Sequence, residues 1–299
     1  MHDDSTVARN LAHLGETTRA VAQRSDAERI EYAKRGRWIN YDAADAIIQD
    51  FEDLLTFPKR ARMPCRLLLA DTNNGKTELL NHFLKKHPPD PNLDGEAVRV
   101  PVLMVTVDGP DERALYDAML KQLFEEVSPR GGVREHLSQL IDLLMRIQPG
   151  LIVVDEVNTL IVGSTLKTRN CLNGLKHITN VTRIPIVAAG TREALFAFRT
   201  DPQIENRFEP RPLPLWRADK SFRRLLASFE QTLPLREPSN LSSAEMAHDL
   251  IARTGGTIGE LSKLLEKATE WAIPHGHERI TKEVLDRCKY QSPAERRLV

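Results

Sequence analysis

The sequence predicts an α/β protein with a parallel five-stranded sheet, an N-terminal helical arm and a small C-terminal all-helical region. Two observations support this fold class. Short apolar runs alternate with helical patterns between about residues 66 and 216, which is typical of a parallel sheet covered on both faces. From about residue 219 the strand signal stops and only helical patterns continue.

Composition excludes several classes of protein. The chain has 299 residues, of which 41% are apolar, and no apolar run approaches the ~20 residues that span a bilayer. We therefore expect no membrane partner. Three widely spaced cysteines without metal-binding spacing, and no secretory signal pattern, indicate a cytoplasmic protein. The formal net charge is zero, so any nucleic-acid surface must be local.

The chain is predicted to contain four segments. Residues 1–40 are polar, and we interpret them as an arm whose helix is exposed and ends at Trp38 and Ile39. Apolar residues at helical spacing follow, up to Pro58, and predict an amphipathic helix that leads into the core. The core is predicted over 41–217, a helical lid over 218–290 and a flexible tail over 291–299. Its strands are predicted at 66–70, 100–107, 151–157, 184–190 and 212–216.

The first of these strands leads into a near-complete phosphate-binding loop. Residues 70–77 read ADTNNGKT, which matches G-x-x-x-x-G-K-[ST] except that Ala70 replaces the first glycine. Alanine is tolerable there if φ stays negative. Lys76 is predicted to neutralise the β and γ phosphates of ATP, and Thr77 to ligate Mg²⁺. The alternative is an ordinary turn with a surface lysine. The predicted cofactor-binding residues are Asp71, Thr72, Asn73, Asn74, Gly75, Lys76, Thr77 and Glu78.

Two later strands end in polar residues that favour the nucleotide interpretation. The run LIVVDEVN places Asp155 and Glu156 at the end of a buried strand, where carboxylates are unfavourable unless something pairs them. Asp155 is predicted to hold Mg²⁺ through water, and Glu156 to orient or deprotonate the attacking water. The alternative is a pair of acids that face solvent. Thr191, after IPIVAAG, is predicted to lie between these motifs and sense the γ phosphate.

The segments TNNGKTELL, DEVN, AAGTREA and DPQIENRFEP together resemble the TniB family, the AAA+ ATPases of mercury-resistance-type transposons. The resemblance covers about Trp38 to Trp271. It implies an AAA+ P-loop NTPase core with a helical lid. It also implies ATP-dependent, largely sequence-independent binding of double-stranded DNA, and self-assembly into a hexamer-like ring or helical filament. The expected partners are a TniA-like DDE transposase and a TniQ-like protein.

The resemblance also assigns roles to individual residues. Lys76 and Thr77 match the phosphate-loop positions, Asp155 and Glu156 the acidic pair, and Thr191 the first sensor. Arg207 matches the arginine finger, which acts in trans on the ATP of a neighbouring subunit. From the residues alone, the alternative is that Arg207 is a surface ion-pair partner. Gly259 and Glu260 stand where many AAA+ proteins carry a second-sensor arginine, which favours a slow switch over rapid turnover.

A candidate DNA surface follows the acidic pair. Residues 160–192 contain basic side chains and no acid, and lysine and arginine contacts to phosphate give salt-sensitive, sequence-tolerant affinity. The alternatives are a solvated basic face and, for Arg183 and Arg192, a subunit interface. The predicted DNA-binding residues are Lys167, Arg169 and Lys176, with Arg130 and Arg134 from an earlier loop.

The function expected from these features is an ATPase that regulates DNA transposition, weak alone and dependent on assembly and DNA. ATP is expected to favour the DNA-bound oligomer, and hydrolysis to disassemble it. Two other functions stay open at this point. One is a helicase-loader or initiator-type ATPase on the same fold. The other is a signalling scaffold that binds nucleotide and never contacts DNA.

Overall fold

The computed structural model describes residues 11–92 and 98–296. The chain divides into two compact units: residues 42–214 form one, and residues 1–41 together with 215–299 form the other. The first ten residues of the predicted arm and the last three of the predicted tail lie outside the described residues. The division groups the arm with the C-terminal helices, whereas the sequence pattern had suggested a separate arm.

The α/β unit contains a parallel sheet of five strands, as the sequence predicted. The strand order is β2-β3-β4-β1-β5, and every neighbouring pair is parallel. All residues of the third and fourth strands are buried, which explains their continuous apolar character. The strands are β1 (Cys65–Ala70), β2 (Val102–Thr106), β3 (Leu151–Asp155), β4 (Ile186–Gly190) and β5 (Phe208–Leu213).

The fifth strand begins four residues before the predicted run at 212–216. Its sequence, FEPRPL, contains Pro210 and Pro212, and proline disfavours a central strand because it has no N–H to donate. β5 lies at the edge of the sheet and pairs only with β1. Backbone groups of alternate residues in a strand point to the same edge, so Pro210 and Pro212 point to one edge together. The Arg207 carbonyl faces β1, so the two prolines face the opposite, unpaired edge, where an N–H group is not needed. The apolar Leu215 and Trp216 belong to the other unit.

Helices flank the strands in the α/β unit. The predicted amphipathic helix is present and buries Ile47, Ile48, Phe51 and Leu54 along one face. The helices of this unit are α3 (Asp42–Leu55), α4 (Lys76–Lys86), α5 (Glu112–Gln122), α6 (Val133–Ile147), α7 (Asn158–Ile161), α8 (Thr165–Thr182), α9 (Arg192–Phe198) and α10 (Pro202–Glu205).

The second unit is helical, as predicted for the C-terminal region. Its core is built around the apolar side chains of Phe222, Leu226, Leu264 and Leu265. Its helices are α1 (Glu16–Ala22), α2 (Asp26–Lys34), α11 (Lys220–Glu230), α12 (Ala244–Thr254), α13 (Ile258–Ala272), α14 (Lys282–Arg287) and α15 (Pro293–Arg296).

The N-terminal helices are joined to this unit by a buried arginine. The sequence pattern predicted an exposed helix at α2, but Arg29 on that helix has no exposed surface. Its guanidinium forms a two-pronged ion pair with Glu278 and donates from Nε to the Pro234 carbonyl at 3.0 Å. Arg236 donates to the same carboxylate at 3.1 Å. A buried arginine that lost Glu278 would be strongly unfavourable, so the pair holds the arm in place.

Glu260, which the resemblance aligned with a second-sensor position, makes its contacts within the helical unit. It is buried, accepts a hydrogen bond from the Tyr290 hydroxyl at 2.8 Å and pairs with Arg296 at 2.5 Å. Burial raises the pKa of Tyr290, and the neighbouring Glu260 raises it further. Residues 293–296 of the predicted flexible tail therefore form a helical turn that is tied to α13 by an ion pair.

Candidate nucleotide-binding site

The three polar motifs converge because of the strand order. β4 lies between β1 and β3, and all three run in the same direction. Their carboxyl ends therefore carry the phosphate loop, Thr191 and the acidic pair along one edge of the sheet. In the order β2-β3-β4-β1-β5, β4 and β1 are neighbours although they are not consecutive in the chain. Ligands of open α/β sheets bind at such a switch in strand order, outside the carboxyl ends of the strands.

The phosphate loop has the backbone that an anion-binding turn requires. Gly75 has φ 80° and Asn73 has φ 62°, both in the left-handed region. α4 begins directly afterwards at Lys76, and no side chain caps its first turn. Its terminal N–H groups are therefore available to a phosphate, and the helix dipole favours the negative charge. Ala70 lies in β1 and is not among the residues with positive φ, so the alanine introduces no strain.

Asn74 shapes this loop through its side chain. The residue is buried, and its Nδ2 donates to the Leu213 carbonyl at 3.0 Å and to the Pro214 carbonyl at 3.1 Å. The amide nitrogen is thereby engaged at the end of β5. The sequence motif placed Asn74 among the cofactor-binding residues but gave no sign of this anchoring role.

A cluster of charges lies beside the loop. Lys76 is 8% exposed, and its Nζ lies 3.3 Å from Glu156 Oε1 and 3.9 Å from Asp155 Oδ1. Thr77 donates from Oγ1 to Asp155 Oδ2 at 2.9 Å. Asp155 is 1% exposed and also accepts the Glu156 backbone N–H at 2.8 Å. The carboxylate is therefore oriented from two sides, and the cation of the phosphate loop faces the acids of β3.

The donor set at this point suits Mg²⁺. Mg²⁺ takes hard oxygen ligands, commonly one or two from the protein with substrate phosphates and waters as the rest. The Thr77 hydroxyl, at the start of α4, and the Asp155 carboxylate, at the end of β3, supply such oxygens 2.9 Å apart. Within the part of the chain that the structure describes, no group of three or more His, Cys, Asp or Glu residues is placed to hold a metal alone. A Mg²⁺ ion held by the Thr77 hydroxyl and the Asp155 carboxylate would take its remaining ligands from phosphate and water.

Glu156 has an uncommon backbone conformation. Its φ is 54°, in the left-handed region that costs a residue with a Cβ about 1–2 kcal/mol. The side chain is 45% exposed, in contrast to the buried Asp155 next to it. Such strain clusters at functional sites, where the surrounding structure holds a side chain in a required direction. Here the sharp turn after β3 separates the two carboxylates into a buried one and one that faces the pocket.

Thr191 is held by a residue that sequence reasoning missed. The Thr191 N–H donates to Asn158 Oδ1 at 3.0 Å, and its hydroxyl lies 3.2 Å from the same oxygen. The hydroxyl also forms a short contact with Glu193. Asn158 is the fourth residue of DEVN, so a polar side chain on the turn after the acidic pair was the available signal.

These side chains surround one pocket of about 290 Å³, at the lower end of the range for small-molecule sites. Every predicted cofactor-binding residue from Asp71 to Glu78 lines it, together with Glu156, Asn158 and Thr191. Asp155 lies behind Thr77 and is too buried to form part of the wall. Arg192 borders the loop through an ion pair between its Nε and Asp71 Oδ1 at 3.6 Å.

Arg207 lies away from this pocket. It immediately precedes β5, and its carbonyl accepts from the Cys65 N–H at the start of β1. The length of β1, about 17 Å at ~3.3 Å per residue, therefore separates it from the phosphate loop of its own chain. Arg207 is 9% exposed, and its guanidinium donates to Asn180 Oδ1 at 2.6 Å, while its Nε has no partner among the described residues. Burial lowers the pKa of Arg207.

The predicted DNA-binding residues fall into two groups. Lys167 pairs with Asp111 at 3.7 Å, and Lys176 pairs with Asp201 at 3.8 Å and Gln203 at 3.2 Å. Within the described residues, the exposed side chains of Arg130, Arg134 and Arg169 make no ion pair or hydrogen bond. The segment that lacks acids in sequence is thus approached by the acids that directly precede α5 and α10, and only part of its charge stays uncompensated.

A family model described as "Bacterial TniB protein" matches residues 29–218 of this chain. Among curated proteins, none matches. None of the helices within residues 11–92 and 98–296 combines the length and apolarity that a bilayer-spanning helix requires.

Among solved structures, the chain is similar to ORC2 of Aeropyrum pernix in ADPNP–ADP complexes, with 17% identity, TM-score 0.59, and coverage of 85% of this chain and 69% of that one. Cdc6p of Pyrobaculum aerophilum matches with 17% identity, TM-score 0.59, and coverage of 87% and 69%. ORC1 of Aeropyrum pernix in complex with DNA matches with 16% identity, TM-score 0.55, and coverage of 86% and 67%. At these identities the likeness shows the fold alone, the AAA+ P-loop fold.

Proposed function

The chain belongs to the TniB family, and from that premise we propose that it is an ATP-dependent DNA-binding regulator of transposition. The observation that carries the proposal is the pocket at the carboxyl edge of the sheet. Lys76, Thr77, Asp155 and Glu156 meet there, although β3 lies about 80 residues after the loop. A phosphate-binding turn that faces an acidic strand end has the parts that phosphoryl transfer to water requires.

In the proposed reaction, each residue has a separate task. Lys76 and the N–H groups at the start of α4 bind the phosphates. Glu156, on the exposed side of its turn, accepts a proton from the water as the water oxygen bonds to the γ phosphorus and the bond to the β-phosphate oxygen breaks. Thr77 and Asp155 would hold Mg²⁺, which neutralises developing charge on the phosphate oxygens when bound. Thr191 orients the γ phosphate.

Assembly is proposed to control this reaction through Arg207. The residue cannot act on the nucleotide of its own chain, because the length of a strand separates them. It would act in trans in a ring or filament of identical subunits, after its guanidinium turns away from Asn180. A trans arginine contributes ~10³-fold or more to phosphoryl transfer, so an isolated subunit should be a weak ATPase.

Double-stranded DNA, a TniA-like transposase and a TniQ-like protein are the proposed partners. The cations that support DNA binding best are Arg130, Arg134 and Arg169, since these three side chains have no partner among the described residues. Lys167 and Lys176 would have to exchange their carboxylate partners for DNA phosphates, which makes them weaker candidates. ATP would favour the DNA-bound oligomer, and hydrolysis would disassemble it.

The test is binding to random-sequence duplex DNA at several salt concentrations. We expect tight, salt-sensitive binding with a non-hydrolysable ATP analogue and weak binding with ADP, measured by fluorescence anisotropy. Equal affinity with both nucleotides would contradict the switch. Nucleotide binding without any DNA binding would favour the scaffold alternative. A preference for one duplex sequence would favour an initiator-type ATPase.

A further inference from the structure

We propose that Asn158 helps the site to distinguish ATP from ADP, by donating a hydrogen bond from its side-chain amide to the terminal phosphate. The inference rests on the proposed function, because it assigns a role within the same pocket. Asn158 is the first residue of α7, three positions after Asp155, and lines the pocket beside Glu156 and Thr191. Neither the phosphate-loop motif nor the acidic pair accounts for it.

The orientation of the Asn158 amide follows from its hydrogen bonds. The Thr191 backbone N–H lies 3.0 Å from the atom assigned as Oδ1, and a backbone N–H can only donate. The amide end that faces Thr191 must therefore be the oxygen, although the oxygen and the nitrogen of an asparagine amide have nearly the same shape. The Thr191 hydroxyl contacts the same oxygen at 3.2 Å. The nitrogen must then occupy the other arm of the amide, away from Thr191.

This nitrogen has unused hydrogen-bonding capacity. An asparagine amide carries two donors, and within the described residues Asn158 Nδ2 has no partner. The residue is half-buried, so a full shell of water around the amide is not available. The oxygen of the amide is fixed by Thr191, and its nitrogen still has two N–H groups to donate. Such an amide is suited to an anionic ligand in the pocket that Asn158 lines.

The chain makes room for this amide at Gly190. A Cβ at that position would lie 2.9 Å from Asn158 Oδ1 and 2.8 Å from Val157 Cγ2, both closer than side chains normally approach. The glycine at the end of β4 therefore lets α7 pack against β4 with Asn158 inserted between them. The amide is positioned by two strands of the rigid sheet, which is the support that a specific ligand contact requires.

The place of the amide selects the terminal phosphate. Lys76 and the turn after β1 line the pocket, and so do Glu156 and Asn158, which directly follow β3. Glu156 is the proposed partner of the attacking water, so the amide beside it lies on the side of the pocket where the γ phosphate reacts. ADP has no phosphate at that point. A hydrogen bond from Asn158 would consequently stabilise bound ATP and leave ADP affinity almost unchanged.

The experiment compares Asn158→Asp with Asn158→Ala. Aspartate keeps an oxygen for Thr191 and nearly the same shape, but replaces the donor by a negative oxygen that repels phosphate. Affinities for a non-hydrolysable ATP analogue and for ADP would be measured by calorimetry, with the melting temperature of the nucleotide-free protein as a structural readout. Asn170→Asp, which adds the same charge on α8 outside the pocket, is the matched control.

For Asn158→Asp we expect analogue affinity to fall about 10- to 100-fold, the effect of a hydrogen bond to a charged group. ADP affinity should change by less than about threefold, and the melting temperature should stay near that of the wild type. Asn158→Ala should lower both analogue affinity and melting temperature, since Thr191 loses its acceptor.

Two results would overturn the inference. If Asn158→Asp keeps the wild-type ratio of analogue to ADP affinity while Asn158→Ala is only less stable, the residue supports Thr191 and does not select the nucleotide. If the wild-type protein binds neither nucleotide, the proposed function and this inference fall together. The first result leaves the proposed function intact, so the two failures are distinguishable.

Discussion

Lys76 in the nucleotide pocket and Lys176 on α8 are both lysines with little exposed surface, but their counter-charges serve different ends. Lys76 lies between Asp155 and Glu156 at the wall of an open pocket, where a phosphate can compete for it. Lys176 faces Asp201, directly before α10, and Gln203 on α10, and it does not line the nucleotide pocket. One ion pair prepares a site for a ligand, whereas the other joins two helices.

The same contrast holds for the surrounding charges. In the pocket, the exposed Glu156 and the buried Asp155 are held in different directions by a strained turn. Along residues 160–192, Lys167, Lys176 and Arg192 each receive an acid from another element. Charge density along a chain is therefore a poor measure of a binding surface, and an ion pair points to a site only when space for a ligand lies beside it.

The largest effect that would sharpen this comparison is expected for Glu156→Gln. Glutamine keeps the shape of the side chain and an oxygen that can accept a hydrogen bond from Lys76, but it cannot accept a proton from water. ATP hydrolysis should therefore slow by about 10²–10⁴-fold. Nucleotide binding should persist, and DNA complexes formed with ATP should become long-lived. Single-turnover hydrolysis and DNA dissociation rates measure the two effects. A variant that still hydrolyses ATP at the wild-type rate would remove Glu156 from the reaction.

The pocket was predictable because parallel strands gather their carboxyl ends. The predicted runs at 66–70 and 151–157 coincide with β1 and β3 to within two residues, and each ends in its motif. The observed strand order, which no sequence pattern specified, places Thr191 between them. Residue type and position were therefore sufficient to name Lys76, Thr77, Asp155 and Glu156 as one site.

Other contacts were not predictable, because they depend on partners that no local pattern names. Arg29 is a charged residue on a helix that was predicted to be exposed, yet it is buried in an ion pair with Glu278, which lies 249 residues later in the chain. Asn74 and Asn158 act through single amide groups that bind backbone atoms of β5 and of the turn after β4. The prolines of β5 are compatible with a strand only at a sheet edge, and the edge is a property of the topology.

A direct test of the two lysines is the pair Lys76→Ala and Lys176→Ala. Removing Lys76 should weaken ATP binding by about 2–5 kcal/mol, or on the order of 30- to several-thousand-fold, because two acids then face the phosphates without a cation. The same substitution at Lys176 removes a partly exposed pair of small energetic value and should leave ATP affinity unchanged. Titration calorimetry with ATP checks both. Comparable losses in the two variants would break the distinction between a ligand site and a helix contact.

The smallest expected effect separates cations that are free to bind DNA from cations that are already paired. Each neutralised phosphate contributes about −0.9 to the slope of log affinity against log salt. A variant that loses one phosphate contact per bound subunit should therefore have a slope that is shallower by about one for each lost contact. We expect this for Arg169→Gln, Arg130→Gln and Arg134→Gln. Lys176→Gln should change the slope little, since that charge is engaged with Asp201 and Gln203. If Lys176→Gln flattens the slope and Arg169→Gln does not, α10 must release Lys176 when DNA binds, and the paired cations would be the DNA contacts.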